Sequence, residues 1–261
     1  MVLFDYSREP RSDIAFVDMK SFYASCECIA LGLDPLKTSL CVMSRIENSA
    51  GLILAATPLF KKNFGSQNVS RSYNLPFDVH TRKFNYAAAR KQGLPITADY
   101  VRFIEDAAQK TLLVPPRMNY YIQKNMEIQK IFQDFAAPDD IFPYSIDEGF
   151  LDLTSSINYF IPDQTLDRRT KLDLLAARIQ QAVWKKTGIY ASIGLSNANP
   201  LLAKLALDIE AKHTKKMRVN WSYEDVPSKV WTIPTMTDFW GIGHRTATRL
   251  KKLGIHSIYD L

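Results

Sequence analysis

Residues 141–154 read IFPYSIDEGFLDLT, in which Phe142, Tyr144 and Ile146 alternate with other residues before an apolar run resumes at Phe150. A period of two predicts two strands here, with Asp147, Glu148 and Gly149 near their junction. Ile146 and Phe150 flank the acidic pair. Burying two adjacent carboxylates is costly unless a metal ion or hydrogen bonds compensate, so the pair is a candidate for chemistry. Solvated acidic turn residues are the plainer alternative.

Working outward, DIAFVDM (13–19) follows a polar arm and reads as a buried strand ending at Asp18 and Met19. SFYASCECIAL (21–31) opens on Ser21 as a helix N-cap. Leu40 to Met43 and Gly51 to Ala56, on either side of a polar RIENS turn, predict a hairpin. Pro58 to Pro95 reads as a small, irregular or helical subdomain and gives a first candidate boundary. In MNYYIQKNMEIQKIFQDF (118–135) the apolar side chains Tyr121, Ile122, Met126, Ile128, Ile131, Phe132 and Phe135 fall close to helical spacing. Leu172, Leu175, Ile179 and Val183 mark another amphipathic helix, followed by a strand, IYASIGLS (189–196). Asn199 and Pro200 then cap and open the helix LLAKLALDIEAKH (201–213).

The order strand, helix, strand pair, helix, strand, helix predicts an α+β sheet backed by helices on one face. From residue 214 turn signals gather around Pro227, Pro234, Gly241 and Gly243 before a basic helix, a second candidate boundary. A length of 261 residues calls for two or three structural units around a large core. Hydrophobic residues at 46% and charged residues at 23% exclude a disordered or collagenous chain. The formal charge of +6 modestly favours a polyanionic partner. Cys26, Cys28 and Cys41 lack the spacing of a disulfide framework or zinc site, which points to a reducing compartment. The N-terminal charges and the break of the longest apolar stretch (Leu52 to Phe60) at Thr57 and Pro58 predict neither signal peptide nor membrane span.

Asp18 at one strand end, with Asp147 and Glu148 at another, predicts three carboxylates at one sheet edge. Such a set suits Mg²⁺, and two ions could clamp the attacking and leaving oxygens of a phosphoryl transfer. In FWGIGHRTATRLKKL (239–253), Gly241 and Gly243 flank Ile242 in a helix-hairpin-helix pattern whose backbone N–H groups could hold a phosphate. Ala247, Leu250 and Leu253 would form its packed face, while Arg245, Arg249, Lys251 and Lys252 could meet a nucleic-acid backbone without reading bases. A helix cap with a solvated basic face is the alternative. Lys204 is placed in the first turn of its helix, where the dipole disfavours a cation, so an anionic partner is expected. Lys61, Lys62 and Arg71 suit phosphate contact or a solvated face. His80, His213, His244 and His256 share no metal or catalytic spacing.

Four motifs, DMKSFYASCE (18–27), SIDEGFLDLT (145–154), ASIGLSNANPLLAKLA (191–206) and GIGHRTATRLKKLG (241–254), stand in the order found in Y-family translesion DNA polymerases, which the chain resembles over nearly its whole length. SRIENSAGLILAATPLFKKNFG (44–65) and SRSYNLPFD (70–78) make the resemblance closest to the UmuC-type members of Gram-positive bacteria. The resemblance implies a right-hand polymerase with a ferredoxin-like palm (1–30 and 97–210), small fingers (31–96) and a helical thumb carrying the helix-hairpin-helix motif (211–261). It implies Asp18, Asp147 and Glu148 as catalytic ligands of two Mg²⁺ ions, with the Met19 carbonyl completing the nucleotide-bound one. Tyr23 is similar to the steric gate that excludes a 2′-hydroxyl, and the Phe22 and Tyr23 N–H groups, Lys62 and Lys204 would hold the triphosphate. Gly241, Gly243, Arg245, Arg249 and Lys251 would bind DNA.

The implied reaction is low-fidelity, template-directed transfer from a dNTP to a primer 3′-hydroxyl, with in-line attack on the α-phosphate and loss of pyrophosphate. Primer-template DNA and dNTP are the implied partners, with a sliding clamp and RecA-type or UmuD-type accessory proteins for the full-length protein, in the bacterial cytoplasm at the nucleoid. Leu59 stands where many relatives place Tyr, and Lys62 where many carry Arg. The chain stops at Leu261, before the family's little-finger domain. The expectation is therefore a fragment that folds and binds metal and nucleotide but holds primer and template weakly. A template-free palm-type nucleotidyl transferase or cyclase, and a non-catalytic DNA-binding or SOS-regulatory protein with the same fold, remain as alternatives.

Overall fold

The computed structural model describes residues 5–44, 50–65 and 70–261. In chain order the strands are β1 (Ile14–Met19), β2 (Leu40–Met43), β3 (Ile53–Ala56), β4 (Leu112–Val114), β5 (Ile141–Pro143), β6 (Glu148–Asp152), β7 (Ala191–Ser196) and β8 (Arg218–Asn220). The α-helices are α1 (Phe22–Ala30), α2 (Pro58–Phe64), α3 (Tyr86–Gln92), α4 (Ala98–Gln109), α5 (Met118–Phe132), α6 (Ile157–Phe160), α7 (Arg168–Thr187), α8 (Pro200–Ile209) and α9 (His244–Lys252). They divide into two compact units, one of Met1–Met19, Glu127–Lys186 and Tyr190–Leu261, the other of Lys20–Met126 and Thr187–Ile189.

The first unit is built on a five-stranded sheet in the order β5-β6-β1-β7-β8. β1 is antiparallel to both β6 and β7, and β5 is antiparallel to β6. β1, β5, β6 and β7 thus have the strand order and directions of a ferredoxin-like split βαβ sheet, extended by β8 parallel to β7. The central position of β1 explains its nearly continuous apolar sequence. Asp13, just before it, is buried, ion-paired with Arg168, and accepts a hydrogen bond from Asn197 Nδ2 at 2.6 Å. That satisfied carboxylate anchors the entry to β1.

Helix α8 begins as the sequence predicts. Asn199 Oδ1 accepts from Leu202 N at 2.9 Å and Pro200 takes the first helical position. It ends at Ile209, and a 3₁₀ turn at Ala211–His213 replaces the last turn of the expected helix. Its Ala203 and Leu207 pack on Ile14 and Phe16. Gly194 of β7 makes this approach possible, since a Cβ there would lie 1.9 Å from the Ala203 carbonyl oxygen. Leu202, Leu205 and Ala206 pack with Trp221, Val230, Met236, Ile242, Ala247 and Ile258 of the C-terminal segment.

The second unit carries a three-stranded sheet, β3-β2-β4, with β2 antiparallel to β3 and parallel to β4. The expected hairpin is present in β2 and β3, while its RIENS turn lies outside the described residues. Ala24 and Cys28 of α1 pack on Leu40, Val42 and Ala55. The expected subdomain after Pro58 contains α2 and α3 and an isolated bridge between Phe77 and Phe84. Its Phe60, Phe64 and Phe77 share one core with Met43, Ile53 and Ala56 of the sheet and with Ile104 of α4. Helix α5 matches the periodicity read from 118–135 but stops at Phe132. Ile122 and Met126 are 49% and 57% exposed, so its buried stripe is narrower than the apolar spacing suggests.

Gly194→Ala should lower the melting temperature by about 6 °C or more, because overpacking against helix backbone costs about 3 kcal/mol. Gly243→Ala, where a Cβ meets nothing within 4 Å and φ is −83°, is the control and should melt with the wild type. Circular dichroism melts check both, and an unchanged Gly194→Ala melt would contradict the close packing of α8 on β7.

Candidate active site

The sheet register brings the predicted carboxylates to one edge. Asp18 is directly opposite Glu148, so the two side chains share a face, and Met19 N donates to the Asp147 carbonyl at 2.8 Å. Tyr144 N and Ser145 N both donate to the Glu148 carbonyl, at 3.0 and 2.8 Å, closing the turn that presents Asp147. Ser145 Oγ donates to Asp147 Oδ1 at 2.8 Å. Gly149 follows because a Cβ at that position would lie 2.8 Å from the Phe142 carbonyl oxygen of β5.

Two lysines lie on these carboxylates. Lys204 Nζ, buried, donates to Glu148 Oε2 at 2.7 Å and stands 3.1 Å from Asp208 Oδ2. It also lies 5.0 Å from the centre of the Phe16 ring. Lys212 Nζ lies 3.1 Å from Asp18 Oδ2 and 2.9 Å from Asp208 Oδ1. Burial pushes the Asp18 carboxyl up to about 6; Lys212 opposes the rise, while Asp147 and Glu148 add to it. Burial alone would depress Lys212, but the charge of Asp18 and the Asp208 carboxylate outweigh it and raise it above the ordinary range. Lys204 is the fifth residue of α8, in the second turn and not the first, so its anionic partners, not a dipole conflict, define its setting.

Asp18, Asp147 and Glu148 offer carboxylate oxygens, the donor type that hard divalent cations prefer. Ser192, opposite Asp18 on β7, has a buried hydroxyl with no hydrogen-bond partner among the described residues. The donor chemistry therefore fits such an ion. The side chains do not converge on one point: among the described residues, no three His, Cys, Asp or Glu side chains are gathered to hold a metal. Lys212 and Lys204 draw Asp18 and Glu148 toward α8 and the turn after it.

Phe22, Tyr23 and Lys62 belong to the second unit. Ser21 occupies the N-cap position of α1, but through a left-handed backbone (φ 50°, ψ 48°) and without a side-chain capping bond. The Tyr23 ring stacks on Tyr121, with centroids 4.4 Å apart and planes 13° from parallel. Tyr121 OH donates to buried Glu27 at 2.7 Å, and Arg117 makes a forked contact with the same carboxylate at 2.6 to 3.1 Å. Burial and the bond to Glu27 push the Tyr121 phenol up. Sequence reasoning missed this Glu27, Arg117 and Tyr121 set. Lys62 is exposed in the last turn of α2, near the αL cap Gly65.

Gly241 adopts φ +88°, Ile242 is buried with its N donating to the Phe239 carbonyl at 3.0 Å, and Gly243 caps α9. Arg245, Arg249, Lys251 and Lys252 are exposed on α9. Ala247 and Leu250 face the cluster as expected, whereas Leu253 is 77% exposed and does not. Before the hairpin the chain forms a π turn (Val226–Val230) and a 3₁₀ turn (Met236–Asp238). No helix of the described residues is long and apolar enough to cross a membrane.

Residues 78–208 match the impB/mucB/samB family, and residues 223–255 match the IMS family HHH motif. The chain is 34% identical over 259 residues to a putative UV-damage repair protein, UvrX, of Bacillus subtilis (strain 168), covering 99% of this chain and 51% of that protein. It is 29% identical over 248 residues to DNA polymerase IV 2 of the same organism, covering 95% of this chain and 50% of that protein. A shorter relative there, the DNA repair protein homolog YozK, is 33% identical over 143 residues, 55% of this chain and 98% of its own. The chain thus spans about half the length of the first two relatives. Among solved structures, DinB from Sulfolobus solfataricus matches with a TM-score of 0.59 at 21% identity, covering 95% of this chain and 59% of that one. The insertion ternary complex of Dbh DNA polymerase matches with a TM-score of 0.63 at 23% identity, covering 94% and 58%. The fold is that of the Y-family DNA polymerases, and the chain belongs to the impB/mucB/samB family, with its helix-hairpin-helix motif.

Proposed function

We propose that this chain is the catalytic part of a low-fidelity, template-directed DNA polymerase of lesion bypass. The observation that carries the reading is the register that sets Asp18 opposite Glu148 and bonds Met19 N to the Asp147 carbonyl. In this reading Asp18, Asp147, Glu148 and the Met19 carbonyl hold two Mg²⁺ ions. When bound, the ions would favour ionisation of a primer 3′-hydroxyl and offset the charge of a dNTP triphosphate. The relatives named for DNA polymerase IV and UV-damage repair support this substrate class.

The remaining work falls to the chain's own groups. Lys204, already on Glu148, supplies a buried positive charge for the triphosphate. The N–H groups of Phe22 and Tyr23 stand in the first turn of α1, where the helix dipole favours an anion, and together with Lys62 they suit phosphate oxygens. Tyr23, braced by Tyr121, is the ring that would close against the sugar and exclude a 2′-hydroxyl. The Gly241 to Gly243 turn and Arg245, Arg249 and Lys251 would hold DNA phosphates without reading sequence. The palm is assigned to 1–30 and 97–210, the fingers to 31–96 and the thumb to 211–261.

Asp147→Ala/Glu148→Ala should reduce template-dependent single-nucleotide addition by roughly a thousandfold, the scale of losing several kcal/mol of charge stabilisation. Unchanged addition by a folded double variant would sink the reading. Tyr23→Ala should cut the preference for dNTP over NTP by about tenfold or more, measured as the ratio of kcat/KM values. Equal discrimination in the variant would remove Tyr23 from the gate. Replacing Arg245, Arg249 and Lys251 with Ala should flatten the dependence of log affinity for duplex DNA on log salt by about one unit per lost phosphate contact. A slope equal to that of the wild type would place DNA elsewhere.

A further inference from the structure

Lys204, Asp208 and Lys212 recur at intervals of four residues along α8 and the turn that follows it. With the strand carboxylates they form an unbroken line of alternating charge: Asp18, Lys212, Asp208, Lys204, Glu148. Its links measure 3.1 Å from Asp18 to Lys212, 2.9 Å from Lys212 to Asp208, 3.1 Å from Asp208 to Lys204 and 2.7 Å from Lys204 to Glu148. Asp208 and Lys212 have no part in the reading of the reaction above.

The side chain of Asp18 is only 18% exposed, and a carboxylate in that setting needs a positive partner whenever it is ionised. Lys212 supplies one. An ammonium group and a divalent cation cannot share that carboxylate without strong repulsion. Lys212 has a second carboxylate already within hydrogen-bond distance, so leaving Asp18 requires a shift between two acceptors and not a transfer into solvent. Asp208 also touches Lys204, so it can hold both ammonium groups when Asp18 and Glu148 turn away from them.

We infer that Lys212 is a resident counter-ion of Asp18 that an incoming divalent cation must displace, and that Asp208 is the positioning residue that receives it. The inference rests on the assignment of Asp18 as a metal ligand. It predicts opposite signs for two neighbouring substitutions. Lys212→Met removes the competitor and should tighten metal binding, while Asp208→Asn leaves both ammonium groups to Asp18 and Glu148 and should weaken it. A merely structural role for the pair would weaken binding in both.

The test is Mn²⁺ binding to the 261-residue chain without nucleotide or DNA, read from the electron paramagnetic resonance signal of free Mn²⁺. Lys212→Met should lower Kd about threefold or more, and Asp208→Asn should raise it by a similar factor. In an Asp18→Asn background, Lys212→Met should have no effect. Wild-type binding that depends on Asp18, with Kd unchanged or raised in a folded Lys212→Met variant, overturns the inference and leaves the polymerase reading standing. Wild-type binding that is absent, or indifferent to Asp18→Asn, overturns both. Should Lys212→Met not fold, the isosteric Asp208→Asn carries the test, and a Kd at or below that of the wild type overturns the inference.

Discussion

Strand β1 is hydrogen-bonded along both edges, to β6 and to β7, and the candidate site depends on that double pairing. A slip of one residue would carry Asp18 to the opposite face of the sheet and away from Glu148. Several features resist such a slip. Asp13 is held by Arg168 and Asn197 at the start of the strand, and the alternation of Ile14 and Phe16 matches the apolar face of α8. Two glycines permit the close approaches on either side, Gly149 beneath the Phe142 carbonyl and Gly194 beneath α8. The same packing that buries the sheet thus fixes where its carboxylates stand.

Having been placed there, the carboxylates repel one another in a partly buried setting, and the fold answers with lysines on α8 and the turn after it. Among the described residues, Lys204 and Lys212 pair with Glu148, Asp208 and Asp18, and Asp147 stands near enough to Asp18 to act on its charge. Burial is the main reason the Asp18 carboxyl is raised, and the charges of Asp147 and Glu148 add to it. An arrangement of this kind stores a demand for positive charge that a hard cation can meet. In the second unit a different principle operates. Tyr23 is held by a stacked ring whose hydroxyl is fixed by Glu27, itself fixed by the half-exposed Arg117, so an aromatic surface gains rigidity from a satisfied buried carboxylate.

Much of this was legible in the residues. β1, β6 and β7 are short apolar runs with clear boundaries, Asn199 and Pro200 mark the start of α8, and the Gly-Ile-Gly turn marks the hairpin before α9. The acidic residues stand out because they interrupt apolar runs. What escaped was set by contacts distant in sequence. β4 is three residues long and owes its existence to parallel pairing with β2. Helix α4, by contrast, was readable: Thr97 caps it, and Tyr100, Val101, Ile104 and Ala108 fall at helical spacing on the face that packs into the core. The bonds from Glu27 to Arg117 and Tyr121 span 90 and 94 residues, and Tyr121 reads simply as part of an apolar helix face. Asp208 and Lys212 look like a solvated helical pair until β1 is laid beside them.

The central claim, that the ends of β1 and β6 form a cation site for nucleotidyl transfer, is tested most directly by anomalous diffraction from crystals soaked with Mn²⁺ and a non-hydrolysable dNTP. The account predicts a Mn²⁺ peak bounded by Asp18, Asp147 and Glu148, with the triphosphate beside it and the Asp18 carboxylate turned away from Lys212. Bound nucleotide with no peak at these carboxylates, or a peak elsewhere while Asp18 stays paired with Lys212, would contradict it.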